Sequence, residues 1–257
     1  MYTAFASVYD RLMSDVDYDG WAEYYAALLR RCGAEKGPVC ECACGTGSLT
    51  VRLREKGYQI TGTDISQDML SIALTKARER GLQIPFVRQD MCHLTLHRRQ
   101  AAVLATCDGV NYLLTPERAR LFFRAAFAAL RPGGALIFDV STPWKLQNTL
   151  GDRTLGSQEE EISYIWQNAF HAHSRTVDMR LSFFVRQQDG RYIRLEETQT
   201  QRAHSREELT KYMEEAGFGH IRFYGDRTLR APGQKAERWH ITAIRPKEKK
   251  TNAQPTL

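Results

Sequence analysis

The sequence predicts an α/β fold, a mostly parallel sheet covered by helices on both faces, with a small antiparallel β insertion after its fifth strand. Three observations lead there. Short apolar runs alternate with helix-like patterns from residue 39 to 140, as strands joined by crossover helices do. Past Trp144 the apolar period drops to two, at Val177, Met179, Leu181, Phe183 and Val185, which marks an antiparallel strand with one covered face. A chain of 257 residues with 42% hydrophobic and 26% charged side chains is also long enough to bury one large core.

Residues 1–36 read as a helical cap, in which Trp21, Tyr24, Tyr25, Leu28 and Leu29 share a helix face. Core strands are expected at residues 39–43, 59–63, 85–89, 101–106 and 135–140. Gly57 and Gly81 close the helical stretches 48–56 and 67–80, and Thr115 and Pro116 open a helix that runs to Leu130 and stops at Arg131, Pro132, Gly133 and Gly134. Residues 145–204 form the β-rich insertion. Its first strand holds Ile162, Tyr164 and Trp166, and Asp189-Gly190 fits a tight hairpin turn into residues 192–200. Ser205 and Glu208 make a capping box for a helix ending near Gly217, after which residues 220–224 and 239–245 return to the main sheet. The core domain thus comprises 37–144 and 205–246, and residues 247–257 are expected to be a disordered basic tail.

Composition narrows the function classes. The N-terminal stretch has no basic region followed by an apolar run, and no apolar segment approaches membrane-spanning length, so neither secretion nor membrane insertion is expected. Six cysteines in a chain too long to need stapling fit a reducing, cytoplasmic setting. Of the net charge of +6, Arg245, Lys247, Lys249 and Lys250 against Glu248 place +3 around the start of the tail, which leaves the folded body a weak candidate for a polyanionic partner.

The most informative segment is residues 39–49, a strand running through Glu41, Ala43, Gly45 and Gly47 into a helix. Glycines at such a turn let a ligand approach the backbone. A dinucleotide fingerprint needs a third glycine where this chain has Thr50, so the NAD reading fails there. A second strand ends in Asp64 about 20 residues beyond the glycines, where a carboxylate can grip a ribose diol. A third ends at Asp90-Met91. Taken singly, Asp64 and Asp90 read equally well as strand-end or turn residues.

The string from Glu41 to Gly47, acidic-x-Ala-Cys-Gly-Thr-Gly, resembles motif I of class I, Rossmann-like S-adenosylmethionine-dependent methyltransferases. Asp64-Ile65 with Met69, and the Pro132-Gly133-Gly134 loop, are similar to further signatures of that family, and the likeness spans about residues 39–140. By this resemblance S-adenosylmethionine is the cofactor. Glu41, Ala43, Gly45, Gly47 and Ile65 would help hold it, Asp64 would meet the ribose, Met69, Asp90 and Met91 would surround the adenine, and the Cys107 backbone would lie beside its methionine end. The N-terminal Tyr2, Phe5, Tyr9-Asp10 and Trp21 pattern is similar to that of a small, poorly assigned subgroup in which the helix caps the cofactor. Tyr9 is then either close to the sulfonium or a plain packing residue.

Methyl transfer from a sulfonium is an in-line displacement with a neutral leaving group, so positioning can supply much of the acceleration and no catalytic residue is obligatory. Where the acceptor must lose a proton, Asp108, Tyr112, His171, His173 and His204 are equal candidates. His171 and His173 lack further ligands at metal spacing, and Cys40, Cys42 and Cys44 alternate along a strand as core thiols do, so no metal is expected. Residues 105–112 lack the Pro-Cys and Asn-Pro-Pro-Tyr signatures of nucleic-acid methylases, and Cys107 is not read as a nucleophile. The insertion is expected to be either a lid, with Trp166 and Phe170 walling the pocket, or a dimerisation sheet, and the chain a monomer or homodimer. A small-molecule acceptor fits best. The alternatives are RNA, motivated by the tail and by Arg180, Arg186, Arg191 and Arg194, and a non-catalytic cofactor-binding protein.

Overall fold

The computed structural model describes residues 3–13 and 15–247. Two helices, α1 (Thr3–Leu12) and α2 (Tyr18–Arg31), precede the alternating part: β1 (Pro38–Cys42), α3 (Ser48–Glu55), β2 (Gln59–Asp64), α4 (Gln67–Glu79), β3 (Phe86–Arg88), β4 (Gln100–Ala105), α5 (Pro116–Ala129) and β5 (Leu130–Ser141). A π-helical turn at Lys145–Leu150 leads into β6 (Thr154–Ser157), β7 (Ile162–His171), β8 (Thr176–Arg186) and β9 (Tyr192–Arg202), and the chain closes with α6 (Arg206–Glu215), β10 (Gly219–Tyr224) and β11 (Arg238–Ile244).

Seven strands form the main sheet in the order β10-β11-β5-β4-β1-β2-β3. The five from β5 to β3 are parallel, and β11 and β10 run antiparallel to their neighbours. Strand β4 is buried at every position because its Ala, Val and Leu side chains meet helices on both faces. Chain order reverses where β1 lies between β4 and β2, so the loops after β1 and β4 leave in opposite directions and open a crevice at their C-terminal ends.

Local signals account for the elements. Thr115 caps α5 with Pro116 in its first turn, Ser66 caps α4, and the Ser205–Glu208 capping box forms in both directions. Strand β5 begins earlier than its apolar run because Gly133 and Gly134 pair with Arg245 on the way out of β11. Gly134 cannot be replaced without displacing backbone, since a Cβ there would lie 2.9 Å from the Arg131 carbonyl oxygen.

The insertion is a four-stranded antiparallel sheet, β6-β7-β8-β9. One end of its inner face packs Ile162, Phe183 and Val185 against Ala6 and Met69, and the other packs Val177 and Met179 over Leu146 and Leu150. The β8–β9 hairpin differs from the tight turn expected: Gln187 and Arg191 still pair, so the loop is Gln188, Asp189 and Gly190, with Gly190 at φ +81°. No described helix is long and apolar enough to cross a membrane. Apart from Lys247, the tail expected at 247–257 lies outside the described residues, as does Tyr2.

Candidate active site

A cavity of about 270 Å³ occupies the crevice at the ends of β1, β2 and β4. Its first wall is the loop after β1, where Ala43 has φ +51° and Gly45 φ +54°, and both line the cavity. A Cβ on Gly45 would stand in open space, so glycine serves the left-handed backbone and the free approach of a ligand. Gly47 differs from its expected role. It does not line the cavity; at φ +70° it caps α3, and a Cβ there would press on Ala73 at 2.9 Å and Phe86 at 3.1 Å, so it sets helix packing instead.

Asp64 ties this loop to β2. Its Oδ2 accepts from the Gly45 N–H at 2.8 Å and its Oδ1 from the Ser66 N–H at 2.9 Å, and the Ile65 amide donates to the same carboxyl. Burial raises its carboxyl above the ordinary range while those amides hold it down. Ile65, 56% exposed, stands on the rim, and Met69 and Met91 add apolar wall. Asp90 lines the cavity too. Its two oxygens are 3.0 and 2.9 Å from the Arg118 Nη2, and the Cys92 amide donates at 2.9 Å. Burial opposes ionisation of Asp90, yet that amide and Arg118 keep its carboxyl below the usual range.

Glu41 forms the floor, 1% exposed and without a cation among the described residues. Thr106 donates to its Oε1 at 2.6 Å and Thr50 donates to Oε2. Burial pushes its carboxyl up to about 7 despite the two hydroxyls.

Tyr9 and Tyr18, from the first two helices, close the cavity from above and share a hydrogen bond between their phenols. Asp10 fastens α1 to the β1 loop, accepting from Thr46 at 2.6 Å and from Lys76 at 2.8 Å, and Lys76 also donates to Ser48 at 2.6 Å.

Beyond β4, Cys107 and Asp108 both take positive φ, +52° and +66°. Their amides donate to Asp139 at 2.8 and 3.1 Å, so the Cys107 N–H points away from the cavity that the residue lines. Burial drives the Cys107 thiol well above its ordinary range, which disfavours a thiolate there. Asp139 also accepts from Tyr25 at 2.7 Å and from Arg238.

Of the five expected bases, Tyr112 alone lines the cavity, and its hydroxyl donates to Gln199 Oε1 at 2.7 Å. Asp108 is held by Arg238. His171 pairs with Asp178 at 2.9 Å on the exposed insertion, where His173 is also exposed. His204 is fully buried away from the cavity, and burial lowers its imidazole to about 4. The insertion's contribution to the cavity is Gln199, whereas Trp166 and Phe170 pack over the π-helical turn. Arg186, Arg191 and Arg194 are paired with Glu160, Asp189 and Glu196. Tyr18, Thr106, Arg118 and Gln199 escaped sequence reasoning, because each is brought in by tertiary packing with no local motif around it.

Comparison with known proteins agrees with this geometry. The signature of the methyltransferase domain matches residues 39–134. YqeM of Bacillus subtilis (strain 168), named as a methyltransferase with no acceptor stated, is 38% identical over 96% of this chain and 98% of its own. The glycine/sarcosine N-methyltransferase of Halorhodospira halochloris is 27% identical over 82% of this chain and 77% of its own. A solved S-adenosylmethionine-dependent methyltransferase from Clostridium acetobutylicum ATCC 824 superposes with a TM-score of 0.87 at 29% identity, covering 95% of this chain and 99% of the other. With a glycine loop after β1, an acidic end to β2 and a reversed β11 beside β5, the chain belongs to the class I, Rossmann-like S-adenosylmethionine-dependent methyltransferases.

Proposed function

We propose that the protein transfers a methyl group from S-adenosylmethionine to a small-molecule acceptor. The observation that carries this is the construction of the cavity: α1, α2 and the insertion all contribute to its wall through Tyr9, Tyr18 and Gln199. A site roofed in this way favours a small acceptor over a polymer. The small-molecule action in the name of the Halorhodospira relative supports the class of acceptor without identifying it.

The residues present fit the cofactor. Glu41 is a buried carboxyl with no cation among the described residues, which the ammonium of a methionyl group would supply; Asp64 keeps acceptor capacity for a ribose hydroxyl; Met69, Ile65 and Met91 offer an apolar slot for a purine. When bound, the cofactor supplies an electrophilic methyl on a sulfonium. Asp90, kept ionised by Arg118, would accept from the amino edge of a purine. Tyr9 and Tyr18 exclude water, and Tyr112 with Gln199 orients the acceptor. In this reading the insertion is a lid.

Incubating the protein with methyl-labelled cofactor and a cell extract separated into small molecules, RNA and protein tests the proposal. Label is expected in the small-molecule fraction. Label confined to RNA or protein would overturn it.

A further inference from the structure

A second cavity, of about 750 Å³, lies at the other end of the main sheet. Strand β11 runs from Arg238, paired with Ser141 at the end of β5, to Ile244, paired with Ala135 near its start. Ile244, Gly133 and Lys247, which line this cavity, therefore lie beside the N-terminal ends of the parallel strands, away from the cofactor site. The C-terminal end of α2 and edge strand β10 complete its walls.

The lining is one-sided in charge. Among the described residues, Arg31, His220, Arg222 and Lys247 line it and no carboxylate does. Among the described residues, Arg31, Arg222 and Lys247 have no ion-pair partner, whereas the insertion's Arg186, Arg191 and Arg194 are all neutralised. Backbone geometry builds the cleft. Gly133 sits at φ +78°, and the stem of Lys247 lies over it, 3.3 Å from where a Cβ would be. His220 takes φ +52° at an irregularity in the β10–β11 ladder, a conformation an exposed strand residue gains nothing from in packing. Thr242 and Cys32 line it as well.

We propose that this cleft binds a phosphate-bearing small ligand, a phosphomonoester or diphosphate, held by Arg31, Arg222 and Lys247. Guanidinium groups match phosphate oxygens in pairs, and Lys adds a point charge. Three permanent cations in one concave site suit a compact ligand with about two to three negative charges. A polymer backbone would instead call for a stripe of unpaired cations, and on the insertion three of its four candidate arginines, Arg186, Arg191 and Arg194, are ion-paired. The inference is independent of the methyl-transfer reading, because the two cavities share no residue.

The test is calorimetric titration of the full chain with pyrophosphate at constant ionic strength, beside parallel titrations with a single-stranded RNA oligomer and with S-adenosylhomocysteine. Saturable pyrophosphate binding is expected, weakened roughly tenfold or more by Arg222→Ala and by Lys247→Ala. Arg180→Ala, which removes an exposed arginine of the insertion, should leave it unchanged. S-adenosylhomocysteine affinity should be the same in all three variants, which also shows that each is folded. No saturable pyrophosphate binding, binding that Arg222→Ala leaves intact, or binding of RNA alone would overturn the proposal.

Discussion

Arg238 and Asp108 meet at 2.6 Å across the end of the main sheet, joining β11 to the left-handed turn that follows β4. The same guanidinium reaches the fully buried Asp139, which in turn receives the Cys107 and Asp108 amides. One cation thus holds two carboxylates and, through them, a turn that borders the cavity at the ends of β1, β2 and β4. Arg238→Leu would leave both carboxylates without it, and breaking a buried pair in this way costs about 3–5 kcal/mol. At this chain length the melting temperature should fall on the order of 10 °C, with weaker S-adenosylhomocysteine binding. A scanning calorimetry trace within a degree or two of the parent would show the network to be dispensable.

Glu41 sets function against stability. Its folded carboxyl is raised to about 7 from an unfolded value near 4.5. A raised acid contributes stability that is fully present below the unfolded value and lost as pH rises through the folded one. The loss is on the order of 3 kcal/mol between pH 4.5 and 7. Glu41→Gln removes the charge, so relative to the parent it should gain thermal stability at pH 8 while binding S-adenosylhomocysteine at least tenfold more weakly. Equal pH profiles for the two proteins would mean that Glu41 does not titrate in this window.

Asp64→Ala deletes the acceptors for the Gly45 and Ser66 amides together with those offered to a ribose diol. Cofactor affinity should drop roughly a hundredfold, while circular dichroism reports an intact fold, since the pairing of β1 with β2 is carried by backbone bonds. Titration calorimetry showing unchanged affinity would remove Asp64 from the site.

Tyr112→Phe separates the lid from the dimerisation reading of the insertion. Loss of the hydroxyl releases Gln199 from its 2.7 Å contact without opening a void. Acceptor KM should rise several-fold, with cofactor affinity and sedimentation behaviour unchanged. A shift in oligomeric state with unaltered kinetics would assign the sheet to dimerisation instead.

The fold was largely legible in the sequence because its signals are local. The Ser205–Glu208 capping box, Thr115-Pro116 and the alternating face of β8 each specify an element from adjacent residues. That Ala43, Gly45, Asp64, Asp90 and Met91 come together around one cavity was legible for a similar reason, since all follow strand ends. Gly47 and Asp90 show the limit. The first serves packing against Phe86, and the second carries Arg118, a partner 28 residues further along that no local pattern announces. Likewise, Gln199 reaches the cavity only through the register of β9 on β8, and Arg238 through the pairing of β11 with β5.

That last pairing has a consequence for the order of biosynthesis. Strand β11 leaves the ribosome after every other element of the sheet, yet it delivers the cation on which Asp108 and Asp139 depend. A nascent chain paused after residue 145 and before residue 238 carries the glycine loop, Asp108 and Asp139 without the guanidinium that joins the two carboxylates, and Lys145 is the cation left near Asp108. In a chain synthesised from the N-terminus at about 5–20 residues per second, the turn after β4 is therefore anchored only once β11 has emerged. Products truncated before β11 are left without the anchored turn, which couples its formation to completion of the sheet.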